Sequence, residues 1–379
     1  MAIPYDVFGP EYVVDVYDPS IGMRGFVVID NTVLGPGKGG VRMTPTVSVE
    51  EVYRLARTMT WKNALAGIPF GGAKAGIVWP EGGSYELKKQ YVQSFARLIK
   101  PLVPRLYITG PDVHTGEREM QWFVEATGIW KSATGKPSNL CTIFAGHNKA
   151  CGIPHERGST GFGVAKVTAV AAKFAGLPLK GARVAIHGFG NVGTFTYQLL
   201  TEAGARVVAL SDRSAAIADK NGLDENILYK FIKARTLLDQ YPKRSHISQE
   251  DFWAVPTDIL IPASVTDVIN EKNKKRIKTK IIVEGGNIPM SESIEEEFVK
   301  KGILVVPDFV ANAGGVISSF AEYKGYSAKT MFKLVEEKVT TSAQTVLSES
   351  LKHHKNPRAV GMAIAQHRVE AAMKKRRNV

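Results

Sequence analysis

The chain has 379 residues, of which 44% are hydrophobic and 22% are charged, and its formal net charge is +13. This composition is typical of a folded globular protein, and the length allows about two or three domains. Lys and Arg are dispersed without a zinc finger, an RNP-like motif or aromatic–basic alternation, so the charge favours a solvated basic surface and we expect no nucleic-acid partner.

Membrane and secretion signals are missing from the sequence. No run of about 18 or more apolar residues occurs, so we expect no membrane span and no membrane partner. The N-terminal MAIPYDVFGPEYVV lacks the basic region and long apolar core of a signal peptide. The two cysteines, Cys141 and Cys151, are too few for a disulfide scaffold and are typical of a reducing compartment. Together these features predict a cytoplasmic protein.

The first elements lead to a lysine in a glycine-rich corner. A β-branched run over 24–34 predicts a strand. The next segment, LGPGKGGVRM over 34–43, predicts a strand–turn–strand corner around Lys38. Ser48 then begins the capping-box pattern S-V-E-E, and apolar residues at helical spacing predict a helix over about 49–65 that carries Met59 and Lys62.

A second glycine-rich stretch, GIPFGGAKAG over 67–76, surrounds Lys74. We interpret it as a loop, since glycine lets a ligand approach the main chain closely. A lysine held there can bind a carbonyl-type substrate or exchange a proton with it. An isolated motif leaves the alternative open, which is a tight turn with a solvated lysine.

Two further segments complete the first half. TGPDVHTGE, over 109–117, follows the apolar LYI and places Asp112 at a strand end, where catalytic groups tend to lie. Residues 135–160 lack periodicity, and we interpret them as a link between domains. Potential metal ligands in this link are Cys141, His147, Cys151 and His155. Their spacing is not a standard zinc pattern, so we expect a plain loop and no metal.

The second half contains a dinucleotide-binding pattern. A helix begins near Thr160, the strand RVAIH follows over 183–187, and the motif GFGNVG over 188–193 opens another helix. A second strand ends at Asp212, 19 residues after Gly193. Strand, glycine-rich turn, helix and acidic strand end are the context this motif requires, with phosphates at the helix N-terminus. The candidate cofactor-binding residues here are Thr160, Gly188, Gly190, Asn191, Val192, Gly193, Asp212, Arg213 and Ser214.

The choice between NAD and NADP stays open at this stage. Asp212 at the strand end favours a bond to the ribose 2′-hydroxyl and therefore NAD. Arg213 and Ser214 follow it, and a guanidinium with a hydroxyl can hold the 2′-phosphate of NADP.

Later strands over 259–262, 281–284 and 304–306 each end in small or polar residues. Because ligands bind beyond the carboxyl ends of such strands, Ala263, Asn287 and Asn312 are candidates for the nicotinamide end.

Five segments together resemble the glutamate/leucine/phenylalanine/valine dehydrogenases. They are, in chain order, GPGKGGVRM, MTWKNALAGIPFGGAKAGI, TGPDVHT, GFGNVG and ANAGGVISS. The resemblance implies NAD(P)-dependent oxidative deamination of an L-amino acid to a 2-oxo acid and ammonia. By position, Lys74 is then the catalytic lysine and Asp112 its acid–base partner. Lys62 binds the α-carboxylate, and Met59 lines the same end of the pocket.

The resemblance also bears on the substrate. Lys38 and Ser319 stand where glutamate-type members hold the distal carboxylate, so we expect L-glutamate and 2-oxoglutarate. The segment VVIDNTVLGPGKGG is more similar to the leucine-type branch, which keeps a leucine, valine or phenylalanine dehydrogenase as the alternative. A non-catalytic NAD-binding regulatory subunit is a remote third possibility.

The predicted fold is α/β with two domains and a cleft between them. An N-terminal α/β substrate domain covers 1–152 and regains the chain at 353–379, and a Rossmann-type dinucleotide-binding domain covers 153–352. The resemblance implies a homo-oligomer, with a hexamer as the expected assembly.

Overall fold

The structure is a computed structural model that describes residues 3–143 and 149–377. The chain divides into two compact units. The first comprises Met1–Arg157, Gly315–Leu334 and Met362–Val379, and the second comprises Gly158–Gly314 and Val335–Gly361. The sequence-based division assigned residues 315–334 to the dinucleotide domain, whereas in the structure this stretch packs with the first unit.

The first unit is built on a mixed sheet. Its strands are β1 (Tyr12–Asp18), β2 (Met23–Asn31), β3 (Gly37–Lys38), β4 (Val41–Thr44), β5 (Gly71–Val78) and β6 (Tyr107–Ile108). Their order is β1-β2-β5-β3-β6, and β4 also pairs with β5. Helices α1 (Val49–Leu65), α2 (Tyr85–Leu98) and α3 (Glu117–Thr127) complete this part. β3 runs parallel to both β5 and β6, so the carboxyl ends of these three strands share one edge.

Strand alternation in β2 fills a core on each face of this sheet. Val27 and Ile29 pack in a cluster that includes Phe95 of α2. Phe26 and Val28 face the other way, in a cluster with residues of α1. Period-two alternation sends neighbouring side chains to opposite faces, so β2 is buried on both sides over residues 25–31.

The stretch around Lys74 is a strand, and the predicted glycine-rich loop is therefore wrong. β5 is the centre of the sheet and every residue from Gly71 to Ile77 is buried. A Cβ at Gly71 would lie 1.9 Å from the Asn31 carbonyl oxygen, and one at Gly72 would lie 2.0 Å from Thr60 Oγ1. The glycines thus allow close approach of backbone and helix inside a sheet, which is a use of glycine that local composition does not distinguish from a loop.

Two local predictions in this region are confirmed. β3 and β4 form the strand–turn–strand corner around Lys38. α1 spans Val49–Leu65, and the Ser48 hydroxyl accepts a hydrogen bond from the Glu51 backbone N–H. Such a cap satisfies one of the free donors at a helix start, so short-range chemistry alone fixes where α1 begins.

The expected irregular link contains a hairpin. Strands β7 (Cys141–Ile143) and β8 (Lys149–Cys151) pair antiparallel with Cys141 opposite Cys151, and a disulfide joins the two cysteines. Residues 144–148, and with them His147, lie outside the described residues. The sequence analysis took the two cysteines as typical of a reducing compartment, whereas the register of the hairpin sets them face to face as a disulfide, which a cysteine count does not reveal.

The second unit is built on a largely parallel sheet. Its first elements are α4 (Ser159–Phe174), β9 (Arg183–His187), α5 (Asn191–Glu202), β10 (Arg206–Ser211), β11 (Ala216–Ala218), α6 (Glu225–Ala234), β12 (His246–Ile247), β13 (Ile259–Pro262), β14 (Ile281–Val283), α7 (Glu292–Lys300), β15 (Leu304–Val306) and α8 (Asp308–Ala311). The order is β12-β11-β10-β9-β13-β14-β15, with β10, β9, β13, β14 and β15 parallel. The expected Rossmann-type architecture is confirmed.

Three C-terminal helices supply residues to both units. They are α9 (Gly314–Tyr323), α10 (Ala328–His353) and α11 (Pro357–Arg377). Among the described residues, no helix combines the length and the apolar character needed to cross a bilayer.

A buried ionic cluster in the second unit pins the end of β14 to α11. Arg358 donates to Glu284 at 2.9 Å and to Glu295 at 2.6 Å, and it lies 3.3 Å from Asp308. The Glu284 and Glu295 side chains are fully buried. Burial raises the pKa of Glu284 well above its usual range, and the neighbouring Asp308 raises it further. Arg358 is the cation that compensates these carboxylates.

Replacing Arg358 by methionine is expected to destabilise the fold by about 3–5 kcal/mol at neutral pH, because buried carboxylates lose their cation. A carboxyl whose folded pKa is raised costs more stability as pH rises, so the loss is larger at pH 8 than at pH 5. Urea unfolding at both pH values measures this. Arg276, half-buried and paired with Glu250 and Asp251, is the control, and Arg276→Met should cost at most about 1 kcal/mol. Equal losses in the two variants would contradict the prediction.

Candidate functional site

Lys74 and Asp112 form a close ion pair in the first unit. Lys74 lies in the middle of β5, with its side chain 7% exposed, and Asp112 follows β6 by four residues. Lys74 Nζ donates to Asp112 Oδ1 at 2.6 Å. The loop that holds Asp112 is fixed in turn, because the Asp112 backbone N–H donates to Thr115 Oγ1 at 2.8 Å. The structure therefore brings together the two residues that the sequence proposed as catalytic.

Arg42 is a second cation on Asp112, and the sequence analysis missed it. Arg42 Nε donates to Asp112 Oδ2 at 2.8 Å, and another guanidinium nitrogen donates to Glu51 at 2.5 Å. Burial raises the pKa of Asp112, but the charges of Lys74 and Arg42 outweigh burial and hold that pKa well below its usual range. Asp112 is thus ionised at neutral pH. The available signal was Arg42 inside GPGKGGVRM, between the apolar Val41 and Met43.

Lys38 is a buried lysine beside this pair. Its residue exposure is 3%, and Nζ donates to the Thr109 carbonyl oxygen at 3.1 Å. A Cβ at Gly110 would lie 2.5 Å from this Nζ, so glycine leaves the space that the ammonium occupies. Burial lowers the pKa of Lys38, the charge of Lys74 lowers it further, and the pKa is about 7. A cation in such a place favours an anionic ligand.

The remaining predicted substrate residues belong to the same unit. Met59 lies near Gly39, the residue after Lys38, because a Cβ at Gly39 would be 3.4 Å from Met59 Cγ. Lys62 is half-buried on the same helix, α1. Ser319 is buried on α9, one helical turn before Glu322.

Glu322 and Lys136 form a buried ion pair that the sequence analysis did not single out. Lys136 Nζ lies 2.6 Å from Glu322 Oε1, with the two side chains 1% and 0% exposed. Glu322 Oε2 also accepts the Gly135 backbone N–H at 2.7 Å. The partners are 186 residues apart in the sequence, so no local pattern could have joined them.

In the second unit, the glycine motif forms a cradle at the start of α5. Gly188 has a φ of +104°, and a Cβ at Gly193 would lie 1.8 Å from the Gly188 carbonyl oxygen. A Cβ at Gly190 would meet no described atom within 4 Å. Gly190 is the residue before α5, no side chain caps this helix, and Asn191 and Val192 are in its first turn. Open space and uncapped N–H groups fit a pyrophosphate.

The Asp212 carboxylate accepts hydrogen bonds from its own loop and from Leu238. Its Oδ1 accepts the backbone N–H and the hydroxyl of Ser214 at 2.7 and 2.6 Å and the backbone N–H of Ala215 at 2.9 Å. Its Oδ2 accepts the Leu238 backbone N–H at 2.8 Å. Burial raises the pKa of Asp212, but these hydrogen bonds prevail and lower it. Arg213 remains exposed at the tip. The carboxylate thus shapes the turn that presents Arg213.

The other cofactor candidates also belong to the second unit. Ala263 directly follows β13, and a Cβ at Gly188 would lie 2.7 Å from its carbonyl oxygen. Asn312 Nδ2 donates to the Gly286 carbonyl oxygen at 3.1 Å and to Asn287 Oδ1 at 3.0 Å. Thr160 is half-buried in the first turn of α4. Within the residues that the structure describes, no group of three or more His, Cys, Asp or Glu side chains could share a metal ion.

A parallel sheet with a glycine-rich cradle, and a buried lysine–aspartate pair in the other unit, define a nicotinamide-dependent dehydrogenase. A family model described as Glutamate/Leucine/Phenylalanine/Valine dehydrogenase matches residues 151–377. Another, described as Glu/Leu/Phe/Val dehydrogenase, dimerisation domain, matches residues 10–128. The chain belongs to the Glu/Leu/Phe/Val dehydrogenase family.

Individual relatives agree with this assignment. The chain is 38% identical over 368 residues to a glutamate dehydrogenase of Aeropyrum pernix, an alignment covering 91% of this chain and 85% of that protein. It is 38% identical over 367 residues to an NADP-specific glutamate dehydrogenase of Saccharolobus shibatae, covering 91% and 83%. Among solved structures, the hetero-hexameric glutamate dehydrogenase of Thermus thermophilus in its Leu-bound form matches with a TM-score of 0.84 and 26% identity, covering 97% of this chain and 90% of that one.

Proposed function

We propose that this protein catalyses the reversible oxidative deamination of L-glutamate to 2-oxoglutarate and ammonia, with NADP or NAD as the oxidant. The observation that carries the proposal is the buried Lys38 ammonium beside the Lys74–Asp112 pair. A buried charge without a partner is costly, and the distal carboxylate of glutamate is the partner that an apolar amino acid lacks. The names of the Aeropyrum and Saccharolobus relatives support this substrate.

The side chains divide the work by their chemistry. Lys62 binds the α-carboxylate, with Met59 beside it, while Lys38 and Ser319 hold the distal carboxylate. The nicotinamide, when bound, accepts the hydride from Cα. Lys74 hydrogen-bonds the water that attacks the resulting imine carbon, and the ionised Asp112 at 2.6 Å takes up and returns the protons of water and amine.

The cofactor is held by the residues of the second unit. Asn191, Val192 and the three glycines of the motif receive the pyrophosphate, with Thr160 close by on α4. Ala263, Asn287 and Asn312 line the nicotinamide end. NADP is the favoured cofactor, because the Asp212 carboxylate already accepts three hydrogen bonds from Ser214 and Ala215 and one from Leu238, while Arg213 is exposed at the tip beside Ser214.

The reaction is tested by absorbance at 340 nm with purified protein and ammonia. The substrates are 2-oxoglutarate and 4-methyl-2-oxopentanoate, each with NADPH and with NADH. Oxidation of the reduced cofactor with 2-oxoglutarate alone supports the proposal. Oxidation with the branched oxo acid instead would assign the chain to the leucine-type branch, and no oxidation with either would favour a regulatory subunit.

Replacing Arg213 by alanine is expected to raise the KM for NADPH by about tenfold and to leave the KM for NADH unchanged. An exposed charge-assisted hydrogen bond to a phosphate contributes about 1.5 kcal/mol, which corresponds to that factor. Steady-state kinetics with both cofactors measure it. Arg206, exposed at the other end of β10, provides the matched control Arg206→Ala. An equal rise in both KM values would count against 2′-phosphate binding by Arg213.

We further propose a cytoplasmic homohexamer in amino acid metabolism. The family model for residues 10–128 is described as a dimerisation domain, and the Thermus structure is titled hetero-hexameric. In the first unit, β1 is an edge strand whose Tyr12 and Tyr17 are 45% and 59% exposed. Such an edge is suited to pairing with another chain. Light scattering coupled to size exclusion tests the assembly, and a monomer at micromolar concentration would overturn it.

A further inference from the structure

The Glu322–Lys136 ion pair is buried and makes further contacts with the backbone around it. Lys136 Nζ donates to the Ala133 carbonyl oxygen as well as to Glu322, and it lies 4.1 Å from the centre of the Trp130 ring. Glu322 accepts the backbone N–H of Gly135. The pair therefore clamps the backbone of residues 133–136 from both ends.

This backbone segment leads directly to Lys38. The Thr134 backbone N–H donates to the Thr109 carbonyl oxygen at 3.1 Å, and the Thr109 N–H donates to the Ser132 carbonyl oxygen at 2.9 Å. The same Thr109 carbonyl oxygen accepts Lys38 Nζ at 3.1 Å. Moving residues 133–136 would thus move the acceptor that fixes the Lys38 ammonium.

The charge of Glu322 also acts on the protonation of Lys38. The groups that face Lys38 are Lys74 from β5, Asp112 from the loop after β6, Lys136 from the 133–136 segment and Glu322 from α9. His155 is also close, but burial and the charge of Lys38 lower its pKa to about 4, so it is neutral at pH 7. Lys74 and Lys136 oppose the protonated form of Lys38, whereas Glu322 and Asp112 favour it. Asp112 is already engaged by Lys74 and Arg42.

We infer that Glu322, anchored by Lys136, is a positioning residue for Lys38. Glu322 holds the 133–136 backbone, and through it the Thr109 carbonyl oxygen that binds the Lys38 ammonium. Its negative charge also favours the ammonium form, which is the form that binds a distal carboxylate. The inference rests on the proposed role of Lys38 in glutamate recognition. Glu322 itself touches no substrate in this scheme. It acts through the Thr109 carbonyl oxygen and through its charge.

The test uses Glu322→Gln in the full-length protein, because glutamine can still accept the Gly135 N–H while lacking the charge. Brief pulses of acetic anhydride across a pH series, with Lys38 quantified by mass spectrometry, report the titration of that amine without substrate. We expect the Lys38 midpoint to move to lower pH by about one unit. In kinetics, kcat/KM for 2-oxoglutarate relative to 4-methyl-2-oxopentanoate should then fall about tenfold at pH 8, where both proteins are past their midpoints.

Controls separate a charge effect from damage to the fold. Glu119→Gln is the matched control, since Glu119 is also buried, pairs with a lysine at 2.8 Å and accepts a backbone N–H, but does not face Lys38. The double variant Glu322→Gln with Lys136→Gln removes both charges, so its Lys38 midpoint should lie between those of wild type and Glu322→Gln. It is also the fallback if Glu322→Gln does not fold.

An unchanged Lys38 midpoint in Glu322→Gln, or an equal shift in Glu119→Gln, would overturn the inference. The labelling readout does not depend on turnover. If Glu322→Gln shifts the Lys38 midpoint as expected but the wild-type protein does not aminate 2-oxoglutarate, the proposed function is refuted and the positioning of Lys38 by Glu322 is still supported.

Discussion

Replacing Lys74 by methionine is expected to lower kcat for 2-oxoglutarate amination by about 10²- to 10⁴-fold, the range over which positioned proton-transfer groups act. Lys74 lies in the buried part of β5 and pairs with Asp112 at 2.6 Å. No neighbouring side chain on β5 can replace its amine, since the flanking residues are Ala73 and Ala75. Single-turnover and steady-state measurements at 340 nm give the loss directly.

Two further variants are measured in the same experiment. Asp112→Asn keeps a hydrogen-bonding group but removes the charge that pairs with Lys74 and Arg42, and it should reduce kcat by a comparable factor. Lys100→Met changes an exposed lysine of the same unit and should leave kcat unaltered. If Lys74→Met kept more than about a tenth of the activity, the acid–base role assigned from this geometry would be wrong.

The second large effect is expected at Lys38, where leucine should switch the preferred substrate. Removing one partner of a buried charge pair costs about 2–5 kcal/mol, so kcat/KM for 2-oxoglutarate should fall by about 30- to 5,000-fold. Activity with 4-methyl-2-oxopentanoate should be retained or improved, because the pocket end becomes apolar. The ratio of the two kcat/KM values is the measurement. Unchanged turnover of 2-oxoglutarate would mean that another group binds the distal carboxylate.

The pH dependence of the wild-type protein provides an independent check of this role. Burial and Lys74 lower the pKa of Lys38 to about 7, so the ammonium form is present below that pH and is lost as pH rises through it. Relative preference for 2-oxoglutarate should accordingly decline above about pH 7 and become flat in Lys38→Leu.

Local chemistry accounts for the features that the sequence predicted well. The Ser48 cap and the periodicity of α1 act over a few residues, and so does the glycine motif between β9 and α5. Each depends on backbone donors and conformations that neighbouring residues control. Lys38 and Lys74 were noticed because they are embedded in glycine-rich segments, and the roles that the family resemblance gives them stay predictions.

Features that depend on distant partners were not predicted. The glycine-rich composition of β5 predicted a loop. In the structure these glycines are needed because Asn31 and Thr60 of other elements lie too close for a side chain. Glu322 reaches Gly135 across 187 residues. The hydrogen bonds to Asp212 come partly from Leu238, 26 residues further along, so the position of Asp212 in the motif did not reveal them.

The bare backbone contacts around β5 also govern how this chain can diverge. At Gly39, Gly71 and Gly72 even a methyl group would overlap main-chain or helix atoms at 2.0 Å or less, so a saturation library should return glycine alone at these sites. Gly82 meets nothing within 4 Å and has a φ of +72°, which asparagine and aspartate also adopt. Sequence drift is therefore expected to accumulate at the turn near Gly82 while the lysine-bearing strand stays almost invariant. The segments that carry Lys38 and Lys74 are therefore constrained by glycines that leave no room for a side chain as well as by the two lysines.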